Sequence, residues 1–239
     1  MKALIIIPCY NEEGSISKLL TEIDLCGLDW VDVLVIDDCS TDRTFEIASS
    51  KSDVISLSKN LGIGGAVQTG IRYAFINNYD ICIQLDGDGQ HPPKEIQKLL
   101  QVYQSNDCSI VIGSRYIDKF GFQSSVMRRF GAKLIGFALN KFLDSSQIIS
   151  DPTSGFRLMD KTAMAIFSQY YPIDFPEPIT TAWALRRNLP ILDCSVNMRE
   201  RTSGKSSISS FKAIIYMIRV LCYISLSRLK LPFDKKMPE

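Results

Sequence analysis

The chain has 239 residues, of which 46% are hydrophobic and 22% are charged, and its 27 Lys and Arg nearly balance 26 Asp and Glu. This composition excludes a disordered chain and a wholly basic nucleic-acid binder, so we expect no nucleic-acid partner. The seven Cys are scattered and there is one His, which argues against a zinc site and for reduced thiols in the cytoplasm.

Short apolar runs alternate with helical stretches through the first half of the chain. The runs at residues 3–7, 31–36, 54–57, 81–85 and 109–112 resemble strands of a sheet that is covered on both faces. The apolar residues with helical spacing are Ile16, Leu19, Leu20 and Ile23, then Val67, Ile71, Ala74 and Phe75, then Ile96, Leu99, Leu100 and Tyr103. The alternation predicts an α/β fold with a mainly parallel central sheet flanked by helices, and ligands beyond the carboxyl ends of the strands.

The pattern changes after residue 116. Residues 124–143 are helical and partly basic, and the segment that follows predicts an α+β second half. No linker rich in Gly, Ser or Pro interrupts the chain, so residues 1–208 are predicted to form one domain.

Residues 209–239 are predicted to form a basic amphipathic helix and tail. From residue 199 onward there are nine Lys and Arg but three Asp and Glu. No apolar run reaches the length of a membrane span, so we expect this segment either to lie on the membrane surface or to pack on the domain.

Acidic side chains stand where three predicted strands end. They are Glu12 and Glu13, Asp37 and Asp38, and Asp86 and Asp88. The carboxyl ends of parallel strands share one edge of a sheet, where mutual repulsion is tolerable if a cation or hydrogen-bond donors lie among the acids. The sequence therefore predicts a divalent metal site, with an ordinary Asp-Gly turn as the alternative.

Three other ligand-binding motifs fail on spacing. Residues 204–206 end like a P-loop, but the first glycine would have to be Arg199. Residues 62–64 resemble a dinucleotide-binding turn, yet they follow the third strand and have Val67 at the last position of the motif. Residues 86–97 lack the Gly and Glu of a calcium loop. Phosphate could still bind the helix near residue 64, or the glycines there could serve tight packing.

Seven motifs follow one another along the chain. They are IPCYNEE at 7–13, VIDDCSTD at 35–42, NLG at 60–62, DGDGQHP at 86–92, GSRY at 113–116, DPTSGFR at 151–157 and the basic segment 199–207. In this order they resemble the family 2 glycosyltransferases of GT-A fold, especially the branch with polyprenyl-phosphate mannosyl- and glucosyltransferases. The resemblance covers residues 3–210 and implies an inverting sugar transfer.

The resemblance also implies a set of site residues. Those expected to bind the nucleotide sugar are Pro8, Tyr10, Glu12, Asp38, Asp86, Gln90, Arg115, Arg201 and Lys205. Those expected to hold Mg²⁺ or Mn²⁺ are Asp86, Asp88 and Gln90. The candidate catalytic residues are Asp88, Glu177 and Arg157. His91 is expected to form a hydrogen bond beside this turn rather than to bind the metal.

The acceptor determines whether a general base is needed. A lipid phosphate is ionised near neutral pH, whereas a sugar hydroxyl must lose a proton. Glu177 is the candidate base, and a helix N-terminal acid is its alternative reading. Such enzymes often carry a second carboxylate where this chain has Ile179, which favours an acceptor that needs no base.

We therefore expect a transferase that moves a sugar from a nucleotide donor to polyprenyl phosphate or a membrane-borne glycan at the cytoplasmic membrane face. The alternatives are a metal-dependent phosphotransferase with Asp86 as nucleophile, and a non-catalytic nucleotide-sugar-binding protein. The sequence leaves the donor base and sugar, the acceptor and the oligomeric state open.

Overall fold

The computed structural model describes residues 1–28, 30–118, 126–143, 147–199 and 210–226. The strands are β1 (Ala3–Cys9), β2 (Val31–Asp37), β3 (Asp53–Ser56), β4 (Ile81–Gln84), β5 (Ile110–Ser114), β6 (Arg157–Asp160) and β7 (Ile191–Ser195). The helices are α1 (Ile16–Asp24), α2 (Thr44–Ser49), α3 (Gly62–Ile76), α4 (Ile96–Ser105), α5 (Val126–Leu143), α6 (Lys161–Phe167), α7 (Pro176–Arg186) and α8 (Ser210–Leu226). A 3₁₀ turn at Pro93–Glu95 precedes α4.

The strands form one sheet in the order β3-β2-β1-β4-β6-β5-β7. All neighbouring pairs are parallel except the two that involve β6, which runs antiparallel to β4 and β5. The predicted mainly parallel sheet is therefore confirmed. The carboxyl ends of β1, β2 and β4 lie together at what we call the carboxyl edge. Because β6 runs the opposite way, its first residue, Arg157, also lies at this edge, opposite Gln84.

Helices cover both faces of the sheet. On one face, α1 and α4 bury the predicted apolar stripes against β1 and β4. On the other face, α3, α6 and α7 pack with buried residues of α5 and α8. Phe75 is an exception to the predicted stripe of α3, since it is exposed. Eight residues advance a helix about 80° beyond full turns, which moves Phe75 away from the line that begins at Val67.

Strand β1 continues past its predicted end through Pro8 and Cys9. The carbonyl of Ile6 accepts a hydrogen bond from the Leu85 N–H, so this side of β1 faces β4. Pro8 lies two residues further along the same side, beyond the last residue of β4, Gln84. Its missing N–H therefore leaves no gap in the ladder, and a proline is tolerated in a central strand.

Helix α8 packs against the domain, so part of the predicted tail belongs to the folded core. Its side chains Val220 and Ile224 are fully buried, and Tyr216 contacts Phe175 edge to face at 4.7 Å between ring centroids. A domain boundary between residues 208 and 209 stays a prediction. In the described part of the chain, every helix is too short or too polar to cross a membrane.

Candidate active site

The acidic segments meet around Cys9 at the carboxyl edge. Burial raises the pKa of the Cys9 thiol well above its usual value, and the negative charges of Glu12, Asp37, Asp86 and Asp88 raise it further. The backbone shows the same proximity, since the Asp38 N–H donates to the Cys9 carbonyl oxygen at 2.8 Å and the Gly87 Cα lies against Cys9 Sγ. The sheet thus brings the three acidic segments to one edge, as the sequence predicts.

A tight turn carries Asp86 and Asp88. A Cβ added to Gly87 would lie 2.5 Å from Cys9 Sγ and 3.2 Å from the carbonyl oxygen of Pro8. The glycine therefore lets the turn pack directly against the end of β1, where it contacts Cys9 and the carbonyl group of Pro8. On the other side, Asp88 Oδ1 accepts the N–H of Gln90 at 3.0 Å, a local bond that stabilises the turn.

His91 fixes the backbone of the same turn. Its Nδ1 accepts the N–H of Asp86 at 3.2 Å, and its buried ring stacks on Phe156 with 5.2 Å between centroids. Nδ1 is therefore occupied, and Nε2 lies 3.8 Å from Asp86 Oδ2. The structure agrees with the expected hydrogen-bonding role of His91.

Asp38 caps the start of helix α3. Its Oδ1 accepts the Leu61 N–H at 2.7 Å. Burial raises the pKa of Asp38, while the backbone N–H groups of Leu61 and Gly62 lower it. The negative charge at the N-terminus of α3 is therefore supplied by the Asp38 carboxylate. Gly64 serves tight packing, since a Cβ there would lie 2.6 Å from the carbonyl oxygen of Ile173.

Tyr10 and Glu12 follow β1 but have different surroundings. Tyr10 is 48% exposed at the carboxyl edge and is accessible to a ligand. Glu12 is buried, and its carboxylate accepts the Ser15 hydroxyl hydrogen at 2.8 Å. Its backbone N–H donates to the hydroxyl of Thr44 at 2.7 Å. Glu12 therefore ties the start of α1 to α2.

Arg115 forms an ion pair with Asp151 beyond the end of β5. Its Nε and one terminal nitrogen donate to the two carboxylate oxygens of Asp151 at 2.7 and 2.9 Å. Burial alone would lower the pKa of Arg115, but Asp151 raises it. Asp151 is completely buried, so the pair connects Arg115 to the segment before β6 and holds a fixed positive charge near Asp86.

Arg157 lies beneath the carboxyl edge with its guanidinium group buried. It donates to the carbonyl oxygens of Ser154 and Pro152 at 2.7 and 2.9 Å and to Thr180 Oγ1 at 3.0 Å. Among the described residues it forms no ion pair within 4.0 Å. These bonds hold the loop before β6 against α7, and a direct role of Arg157 in catalysis stays a prediction.

Glu177 lies in the first turn of α7. Burial raises its pKa to about 7, the charge of Arg157 lowers it, and the charge of Asp86 raises it. The α7 N-terminus thus brings Glu177 into electrostatic contact with the carboxyl edge. Phe175, the residue just before α7 begins, has a positive φ of 52°, which turns the chain sharply into the helix.

Two residues of the site were not predicted from the sequence. Glu22 of α1 accepts hydrogen bonds from the Arg199 guanidinium at 2.7 and 2.9 Å, while the Arg199 N–H donates to the Gln90 carbonyl. Gln84, at the end of β4, has a fully buried amide. Its only sequence signal is a polar residue within an apolar run. Arg201 and Lys205 lie outside the described residues.

The predicted metal ligands fit a hard divalent cation by their chemistry. Asp86 has 33% of its side chain exposed, and Asp88 and Gln90 are half-buried, so their oxygen atoms can reach a ligand at the edge. In the part of the chain that the structure describes, no group of three or more His, Cys, Asp and Glu is arranged so that it could hold a metal ion by itself. Two carboxylates and one amide suit Mg²⁺ or Mn²⁺ that takes its other ligands from water or phosphate.

Solved structures with the same fold are glycosyltransferases. Glucosyl-3-phosphoglycerate synthase from Mycobacterium tuberculosis matches 98% of this chain and 81% of its own, with a TM-score of 0.73 and 18% identity. S. aureus TarS bound to UDP matches 95% of this chain and 66% of its own, with a TM-score of 0.61 and 18% identity. The GT-A fold is thereby confirmed.

The chain belongs to Glycosyl transferase family 2, whose sequence model matches residues 4–167. The dolichol-phosphate mannosyltransferase of Pyrococcus furiosus is 37% identical over 174 residues, which cover 67% of this chain and 47% of that protein. The undecaprenyl-phosphate mannosyltransferase of Micrococcus luteus is 28% identical over 223 residues, 87% of this chain and 88% of its own. The chain thus spans about half the length of the Pyrococcus relative.

Proposed function

We propose that the chain transfers a sugar from a nucleoside-diphosphate sugar to polyprenyl phosphate. The observation that carries this proposal is the convergence of Glu12, Asp37, Asp86 and Asp88 around Cys9, beside the fixed charge of Arg115. Family membership and relatives named for dolichol and undecaprenyl phosphates support the choice of donor and acceptor.

Asp86, Asp88 and Gln90 would hold Mg²⁺ or Mn²⁺ in this proposal. The cation would stabilise the negative charge that develops on the departing diphosphate. A structural neighbour, the Mycobacterium tuberculosis synthase, was solved with Mn²⁺ and UDP, which supports a divalent cation for this fold. Gly87 keeps the turn closely packed, so that the carboxylates need little rearrangement when a ligand arrives.

The donor would lie across the carboxyl edge from β2 to β4. Exposed Tyr10 and buried Asp38 would bind the nucleoside, the first with its ring and the second through the loop that it holds at the start of α3. Pro8 and Glu12 would shape this region through the contacts described above. Arg201 and Lys205 would contact the diphosphate directly, since arginine suits binding of phosphate. Arg115, which is held by Asp151, would act on the diphosphate through its positive charge and its other terminal nitrogen.

Glu177 and Arg157 would act on the acceptor side. An ionised phosphate acceptor attacks without a general base, so Glu177 is not required to remove a proton. The buried cation of Arg157 offsets part of the negative charge that Asp86 and Glu177 bring to this region. A glycan acceptor, in contrast, would require Glu177 as base.

The α5–α8 surface would rest on a membrane. We define it by the exposed residues Phe130, Lys133 and Phe137 of α5 and Ile218 and Arg219 of α8. The two helices pack closely, since a Cβ at Gly131 would lie 3.0 Å from Met217 Sδ. Apolar side chains flanked by basic ones are typical of helices that lie at anionic lipid surfaces. Contact of the α5–α8 surface with a membrane would bring the site close to a lipid acceptor.

Sugar transfer can be tested with radiolabelled UDP- and GDP-sugars, undecaprenyl phosphate and Mn²⁺. The wild-type chain should form a lipid-linked sugar, and Asp88→Asn should lower the rate about 100-fold or more because charge stabilisation is lost. The control Asp107→Asn, at an exposed position in the loop after α4, should keep the wild-type rate. Turnover without a divalent cation, or full activity of Asp88→Asn, would refute the proposed mechanism.

A further inference from the structure

Gln84 carries a buried amide without a partner. Its side chain is 0% exposed, and neither Nε2 nor Oε1 has a hydrogen-bond partner among the described residues. An unpaired buried polar group costs about 1–3 kcal/mol, so proteins usually satisfy such groups with ordered water or a ligand. The amide therefore requires a polar molecule that the described chain does not supply.

The Gln84 amide and the Asp86 carboxylate border the same small space. A Cβ placed on Gly155 would lie 3.2 Å from Gln84 Nε2 and 2.9 and 3.1 Å from the two carboxylate oxygens of Asp86. Both groups therefore approach the Cα of Gly155 from the same side. Any larger residue at position 155 would collide with Asp86, so the glycine allows both polar groups to lie this close to the backbone.

Arg157 is the cross-strand neighbour of Gln84. Gln84 pairs with Arg157 in the antiparallel register, which puts the two side chains on the same face of the sheet. The Arg157 guanidinium is held by the carbonyl groups of Ser154 and Pro152 and by Thr180. The Arg157 guanidinium is therefore fixed by other groups, and the carboxylate that lies against Gly155 together with the Gln84 amide is that of Asp86.

We propose that Gln84 is a positioning residue for Asp86, and that its amide holds the carboxylate through one ordered water in front of Gly155. The water accepts a hydrogen bond from Gln84 Nε2 and donates one to an Asp86 oxygen. An outer partner of this kind fixes the direction of a metal-binding carboxylate. The inference rests on the proposed function, because the orientation of Asp86 matters through the cation.

A high-resolution crystal structure of the metal-free chain tests the water directly. Density is expected within hydrogen-bond distance of both Gln84 Nε2 and the Asp86 carboxylate. An empty space, or a direct bond between the two side chains, would overturn the inference. This readout does not depend on activity: if the wild-type chain transfers no sugar or binds no Mn²⁺, the proposed function fails while the density still decides the role of the water.

Mn²⁺ affinity measured by calorimetry tests the positioning role. Gln84→Met keeps the side-chain length but removes both polar atoms, and it should weaken Mn²⁺ binding about 10- to 100-fold. The control Cys82→Ala changes a fully buried residue on the same face of β4 and should leave the affinity unchanged. Wild-type affinity in Gln84→Met, with the fold verified by its thermal midpoint, would contradict the proposal.

Discussion

Glu177 illustrates how a single position depends on its charged surroundings. Its pKa rises from 4.5 to about 7, with burial as the largest cause. The folded protein therefore binds more protons than the unfolded chain between these two values. By linkage, the free energy of unfolding decreases as the pH rises through this interval and levels off above it.

Glu177→Gln should remove this pH dependence. At pH 8 we expect the variant to be more stable than the wild type by roughly 1–3 kcal/mol, because it buries no charge. At pH 4 the two should be alike. Urea unfolding at both pH values measures the difference, and the exposed control Asp107→Asn should behave like the wild type. Equal stabilities of Glu177→Gln and the wild type at pH 8 as well as at pH 4 would show that Glu177 is not buried as described.

The same variant separates the two acceptor classes. Transfer to undecaprenyl phosphate should continue in Glu177→Gln at a rate within about 10-fold of the wild type, since a phosphate needs no base. A loss of several orders of magnitude would instead favour a hydroxyl acceptor.

At the level of secondary structure, helix α3 depends on close backbone contact. Its Gly64 faces the segment before α7, where an added Cβ would come within 2.6 Å of the Ile173 carbonyl oxygen and closer still to that of Pro172. Backbone atoms cannot move aside as a flexible side chain can. The N–H of Leu61, just before α3 begins, donates to the Asp38 carboxylate, so a shift of this helix would disturb the nucleotide side of the carboxyl edge.

Gly64→Ala should therefore destabilise the protein by about 2 kcal/mol or more, because of steric overlap. Arg72→Ala is the matched control, since Arg72 is exposed on the same helix and its change should stay within about 0.5 kcal/mol. Denaturant unfolding of the two variants provides the comparison. Equal stability of Gly64→Ala and the control would mean that the helix and the segment can separate at no cost.

At the scale of the whole molecule, the proposed membrane contact is carried by side chains on the outer surface. Deleting α8 would not test it cleanly, because Val220 and Ile224 are buried and their removal would expose the core. Substitutions on the α5–α8 surface avoid this problem. Phe137 is 66% exposed and Ile218 is 57% exposed, so both can be changed without opening the interior.

The double variant Phe137→Ser and Ile218→Ser should bind anionic vesicles about 10-fold more weakly or worse, since each buried apolar side chain contributes roughly 1.5–3 kcal/mol. Co-sedimentation with vesicles of phosphatidylglycerol measures this. The control variant Ile76→Ser and Ile148→Ser removes two equally exposed apolar residues elsewhere. The membrane contact is refuted if both double variants sediment like the wild type.

Local patterns predicted the elements of the first half closely. The apolar stripe of α1 is buried as expected, because an amphipathic helix turns its apolar face toward the core. Its residues are Ile16, Leu19, Leu20 and Ile23. Strands β6 and β7 were not predicted, since they are short and carry polar residues such as Arg157 and Asp193. Arg157 is stable inside because Pro152, Ser154 and Thr180 accept its hydrogen bonds, and Asp193 is stable there because Ser150 donates to it.

By itself, the sequence determined the alternation of strands and helices, the acidic strand ends and the order of motifs that identifies the family, because these are encoded within short stretches of chain. Only the tertiary structure decided which polar groups are in contact. Asp151 neutralises Arg115, Glu22 holds Arg199, and Gln84 and Asp86 lie on the same side of Gly155. Asp151, Glu22 and Gly155 are far apart in sequence from the residues that they contact, and only folding brings these groups within a few ångströms of one another.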